Sequence, residues 1–161
     1  MNETYRLSLI NNLAKNIKDF QVMLKRMPEE VEVESLSRND ELKDFFCTVT
    51  AVEEDVLKMR LKKIVEEEHP YLPAIRIDYF KLNSEYYQHS LNDLVQQFLL
   101  QKEEILRFIN KIPYYHWERT GVHELEGHVT FEEFVQRLIR NDQVNLHQLK
   151  EKFKNNRSKK N

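Results

Sequence analysis

Residues 130–153 read TFEEFVQRLIRNDQVNLHQLKEKF, and their spacing decides the fold class. Phe131, Phe134, Val135, Leu138, Ile139 and Leu149 recur at three- and four-residue steps, the interval that stacks side chains on one face of an α-helix. Thr130 and Glu133 form a capping box at its start, where a hydroxyl accepts a free backbone N–H of the first turn. The segment is therefore expected to be a helix with one apolar stripe, and that stripe has to be buried against other elements.

The same period extends toward the amino terminus. Residues 3–26 carry Leu9, Leu13, Ile17, Phe20 and Leu24 on one face, with Met27 just beyond, until Pro28 breaks the pattern. The acidic, β-branched stretch 29–34 reads as a linker, with a short strand as the alternative. Ser37 and Asp40 resemble an N-terminal capping pair, so a second helix is expected from there to about residue 68. It turns Leu42, Phe46, Val49, Val56 and Ile64 to one side, and His69, Pro70 and Pro73 stop it. A crossover containing Tyr71, Leu72, Tyr79 and Phe80 leads to a third helix over residues 84–111, built on Tyr87, Leu91, Leu94, Phe98, Ile105 and Ile109. Residues 114–129 hold both glycines, Gly121 and Gly127, and show no clear period, so they read as an ordered loop.

Four long helices in 161 residues, with only 2 glycines and 4 prolines, predict an all-α four-helix bundle. One domain is expected over residues 1–153, followed by a basic, disordered tail over 154–161. Lysine and arginine total 25 against 27 acidic residues, so no overall field gathers nucleic acid or anionic lipid, and neither is an expected partner. No apolar run approaches the roughly 20 residues that cross a bilayer. Cys47 is the only cysteine, which rules out an intramolecular disulfide, and no secretion pattern opens the chain; a cytoplasmic protein is expected.

Residues that interrupt the apolar stripes are the candidate site. Glu53 and Arg60 lie near the middle of the second helix's stripe, where a charge needs a partner. They read as a structural ion pair or as an arginine reaching past the bundle end; the alternative makes Glu53 a ligand or general base. In the last helix Asp142 falls near the stripe centre, Asn145 just inside it and Asn141 at its margin, all expected to face a cavity or another helix. Asn141 and Asn145 are four residues apart, the spacing that metal-binding helices give to paired histidines, but amides are weak ligands for transition metals. A buried hydrogen-bond network is the alternative reading. His116, His123 and His128 crowd the glycine-bearing loop without a zinc spacing, and His147 points away from the stripe. Cys47 lies beyond the first turn of its helix, where no dipole activates it, and reads as an inert thiol.

The stretch WERTGVHELEGHVTFEEFVQRLIRNDQVNLHQL, residues 117–149, resembles the closing motif of DinB/YfiT-like proteins, roughly WxRxxxHxxxGxxT followed by a helix containing HDxxHLxQ. Trp117, Arg119, His123, Gly127, Thr130, Asp142, Leu146 and Gln148 meet that pattern. Residues 45–73 are similar to the family's second helix, with Arg60 and Leu61 as its RL pair and HPYLP as the connector. The resemblance implies an antiparallel four-helix bundle, commonly a homodimer, holding a divalent metal on one histidine of helix two and two of helix four. Relatives include thiol S-transferases and thiol-dependent isomerases.

Here those ligand positions fall on Val49 (or Thr48 in the neighbouring register), Asn141 and Asn145. Without imidazoles, no metal and no other cofactor is expected. The expectation is a non-catalytic homodimer of the stress response that binds a small molecule or a protein. The cavity candidates are Val49, Glu53, Arg60, Asn141, Asp142, Asn145 and His123. The alternative is a thiol S-transferase-like or hydrolase-like enzyme with a site rebuilt from Glu53, Asp142 and His123.

Overall fold

Helices form where the apolar stripes run. The first, α1, spans Glu3–Lys25; Asn2 caps it by accepting from the Tyr5 N–H at 2.8 Å, and Leu9, Leu13, Ile17, Phe20 and Leu24 are buried. The second, α2, is continuous but not uniform: Leu36–Asp55 is α-helical, Val56–Leu61 is π-helical, and Lys62–Glu66 adds a last α-helical turn. The third, α3, spans Leu91–Lys111, and the fourth, α4, spans Phe131–Ser158. Thr130 Oγ1 accepts from the Glu133 N–H at 3.1 Å, as the capping pattern requires. The structure, a computed structural model, describes residues 1–26, 36–74 and 88–158, with side chains for all of these except 36–40 and 154–158.

Several elements differ from the sequence expectation. Helix α3 starts at Leu91 rather than near residue 84, because Ser90 is extended (φ −67°, ψ 155°) and its side chain accepts from the Asp93 N–H at 3.1 Å. Ser84, Tyr87, Tyr79, Phe80 and the 29–34 stretch lie outside the described residues, as do the side chains of Ser37 and Asp40. Helix α4 stays helical to Ser158, and residues 159–161 lie outside the described set. In α2 the Lys62 N–H reaches back five residues to the Leu57 carbonyl, a wider turn that apolar spacing does not reveal.

The glycine-bearing loop is a small sheet. After a 3₁₀ turn at Tyr114–His116, strands β2 (Thr120–His123) and β3 (Gly127–Thr130) form an antiparallel hairpin. The proline-marked connector adds β1 (Tyr71–Leu72) parallel to β2, with Val122 N–H donating to the Pro70 carbonyl at 2.7 Å and Glu124 N–H to the Leu72 carbonyl at 3.0 Å. Gly127 has φ +76°, a left-handed conformation that favours glycine.

Helix α2 packs against α3, α3 against α1, and α1 against α4. The ring closes closely only where the π segment of α2 meets α4; the earlier part of α2 stands off from α4. The apolar interior falls into two clusters. One gathers Leu9, Leu13, Leu61, Ile64, Leu72, Ile105, Trp117 and Leu138 near the sheet; the other gathers Phe20, Leu42, Phe46, Phe98, Leu149 and Phe153 at the far end. At the first cluster the sheet and α2 approach so closely that a Cβ on Gly121 would lie 2.5 Å from Leu72 Cδ1 and 3.2 Å from Ile64 Cγ1. Both neighbours are fully buried and have nowhere to move. Gly121→Ala is therefore expected to destabilise the protein by about 1–3 kcal/mol, read as a lower urea midpoint; an unchanged midpoint would show that the sheet does not seat here.

Candidate functional site

Most of the motif residues build the end of the bundle. Trp117 is fully buried, its Nε1–H donates to the Ile112 carbonyl at 2.9 Å, and its ring meets Phe131 at 5.3 Å between centroids. Arg119 donates from Nε to the Ile64 carbonyl at 2.8 Å and from Nη2 to the Glu67 carbonyl at 3.0 Å, closing the carboxyl end of α2. The carbonyls of Arg119 and Trp117 in turn accept from the first N–H groups of α4, at Phe131 and Glu132. Arg6, buried on α1, does for α3 what Arg119 does for α2, donating to the carbonyls of Ile112 and Asn110 at 2.9 and 2.6 Å. His123 Nδ1 accepts from the N–H groups of Leu125 and Glu126 inside the hairpin turn, with the Glu126 carboxylate 3.7 Å away. His69 Nδ1 lies 2.8 Å from Thr120 Oγ1, and its ring sits 6.1 Å from that of His128 at the same end.

Between the two apolar clusters lies a buried ion triad. Lys102 of α3 donates to Glu53 Oε1 of α2 at 2.7 Å and to Asp142 Oδ1 of α4 at 2.6 Å. The side chains are 2%, 7% and 3% exposed for Lys102, Glu53 and Asp142, so water does not screen them. The ammonium also sits 4.7 Å from the ring centroids of both Phe20 and Phe98. Burial opposes the charge on Lys102, but the two carboxylates outweigh it and raise its pKa. Burial pushes Asp142 up to about 6, with Lys102 pulling it down and Glu53 pushing it further up. The space beside the triad, walled by Leu13, Ile17, Ile105 and Leu138, has room for about one water molecule. No substrate reaches these carboxylates as they stand.

A larger space opens where α2 and α4 stand apart. This groove, of about 720 Å³, is lined on one side by Glu41, Asp44, Phe45, Thr48 and Val49, and on the other by Asn145, His147, Gln148, Glu151 and Lys152. Lys152 spans it, donating to Glu41 at 2.9 Å. Val49 and Asn145 thus share one groove, with Glu53 and Asp142 about one turn further along their helices.

The remaining sequence candidates separate from these two places. Asn141 is exposed and lines neither, contrary to expectation, because the buried face of α4 runs through Leu138, Ile139, Asp142, Leu146 and Leu149. Arg60 is buried within the π segment and donates to the Pro73 carbonyl, with its other terminal nitrogen unpartnered and its pKa lowered by burial against the opposing pull of Asp55. It forms no pair with Glu53, whose partner is Lys102. Lys102 was missed by sequence reasoning, although it falls on the α3 stripe four residues after Phe98 and three before Ile105.

The three positions that the family resemblance assigns to metal ligands do not fit a transition ion. Valine offers no donor, the amide of Asn145 offers a weak neutral oxygen, and Asn141 faces away. Among the described residues, no group of three or more His, Cys, Asp or Glu side chains is placed to hold a metal ion. Among the described helices, none is long and apolar enough to cross a membrane.

Two outcomes follow. Lys102→Met leaves two buried carboxylates without their cation and is expected to cost about 3–5 kcal/mol, measured by chemical denaturation at neutral pH; a loss near zero would mean that the triad is solvated. Cys47 is buried, and burial followed by Asp44 raises its thiol to about 11, with Lys43 opposing. Alkylation by iodoacetamide near neutral pH should therefore be slow in the native protein and fast in denaturant; rapid native labelling would contradict the burial.

No protein-family model matches the sequence, and no curated protein matches it. Among solved structures, the chain is similar to YfiT from Bacillus subtilis, described as a probable metal-dependent hydrolase with an unusual four-helix bundle topology. The match has a TM-score of 0.76 at 10% sequence identity and covers 96% of this chain and 89% of that one. At that identity the likeness establishes the architecture: the chain has the DinB/YfiT-like four-helix bundle fold.

Proposed function

We propose that this chain is a metal-free DinB/YfiT-like bundle that binds a small polar molecule in the groove between α2 and α4, without catalysing a reaction on it. The observation that carries the reading is the lining of that groove: Val49 and Asn145, two of the positions to which the family resemblance assigns imidazoles, face it together with Thr48 and Gln148, and His147 is the one imidazole among its lining residues. Its volume, about 720 Å³, lies within the roughly 300–1,000 Å³ usual for small-molecule sites. Phe45 and Val49 supply apolar contact, while hydroxyl and amide groups supply directional hydrogen bonds. In this reading the protein acts in the cytoplasm as a homodimer, as the family resemblance implies.

A second reading, a metal-dependent hydrolase-like or thiol S-transferase-like enzyme, draws its support from the description of YfiT and from the shared fold. It requires an ion to be held by a donor set other than the three family positions. The readings separate on untagged protein purified without chelators. We expect substoichiometric metal by mass spectrometry, no saturable uptake of zinc or nickel, and fragment-induced NMR shifts at Thr48, Val49, Asn145 and Gln148 that vanish in Val49→Trp. One tightly held ion per chain would overturn the metal-free reading, and fragments that never touch the groove would overturn its role as the binding site.

A further inference from the structure

The triad is not charge-balanced. Two carboxylates, Glu53 and Asp142, meet one ammonium, Lys102, in a buried region with room for about one water molecule, which leaves one excess negative charge in the core. Lys102 satisfies Glu53 Oε1, but Glu53 Oε2 is buried with no hydrogen-bond partner. A buried charge without a full counter-charge is costly, and that cost falls if Asp142 gains a proton.

We propose that Glu53, Lys102 and Asp142 form a proton-uptake site: below neutral pH Asp142 binds a proton, making the triad neutral and tightening the junction of α2, α3 and α4. The groups that face it are Leu13 and Ile17 from α1, Glu53 from α2, Lys102 and Ile105 from α3, and Leu138 from α4. Of these, Lys102 and Glu53 are the charged groups acting on Asp142. Lys102 holds Asp142 down, Glu53 and burial hold it up, and the upward influences win.

The direction of the pH effect follows from linkage. Asp142 holds its proton more tightly folded, at about 6, than at its ordinary value of 3.8. The stabilisation is therefore complete below the ordinary value and is lost as pH rises through about 6. Between about pH 7.5 and about pH 5 this one group should raise the folding equilibrium constant about tenfold. That is opposite in sign to the effect of a carboxylate whose pKa is depressed by an ion pair.

The test uses full-length protein. Urea unfolding of the parent and of Asp142→Asn is compared at the two pH values, and the carboxyl carbon of Asp142 is titrated by NMR in the parent and in Glu53→Gln. We expect the tenfold step to be present in the parent relative to Asp142→Asn, and the Asp142 titration to move to lower pH in Glu53→Gln, because that change removes a neighbouring negative charge. If Asp142→Asn does not fold, the NMR titration of the parent decides alone. A midpoint at or below the ordinary aspartate value, or identical pH profiles for parent and Asp142→Asn, would overturn the proposal.

Discussion

Among the described residues, the ammonium of Lys102 is the polar group that joins three of the four helices inside the core, and the bundle is organised around it. A lysine almost never lies fully buried without a partner, because removing its charge from water costs several kcal/mol. Here two carboxylates and two aromatic rings surround it. The resulting polar layer separates the Leu- and Ile-rich cluster near the sheet from the Phe-rich cluster at the other end. Sliding α2 or α4 by one turn past α3 would take one of the two acids away from Lys102 and strand it in the core, so the triad fixes the helix register even where net stabilisation is small.

The same layer separates the sheet end of the bundle from the end with the groove. On the sheet side, Arg6 and Arg119 satisfy the final carbonyls of α3 and α2, and Trp117 fills the space between them and α4. Trp117 and Arg119 belong to the stretch that resembles the DinB/YfiT-like closing motif, and what they do here is hold the elements together. On the other side, α2 and α4 diverge into the polar-lined groove. Likeness of fold does not by itself carry likeness of chemistry.

The helices were legible because their stripes are long: Leu9 to Leu24, Leu42 to Ile64 and Phe131 to Leu149 each repeat the helical period over several turns. Glu53 and Asp142 stood out as charges within those stripes, and the need for a partner followed from burial cost. Lys102 did not stand out because a lysine is ordinarily assigned to solvent, although its spacing from Phe98 and Ile105 placed it inward. The sheet was hidden by its size, since strands of two and four residues are too short to display an alternation. Asn141 was misplaced for a related reason. Residues at the edge of a stripe go in or out according to how closely the neighbouring helix approaches, and α2 stands off from α4.

The account rests on a charged lysine held dry between two acids. Lysine side-chain nitrogen NMR of Lys102 measures this directly, because a protected ammonium exchanges its hydrogens slowly and shows couplings across its hydrogen bonds. At neutral pH the account predicts a slowly exchanging ammonium signal with contacts to both Glu53 and Asp142. A neutral amine, or an ammonium exchanging as fast as those of exposed lysines, would contradict it.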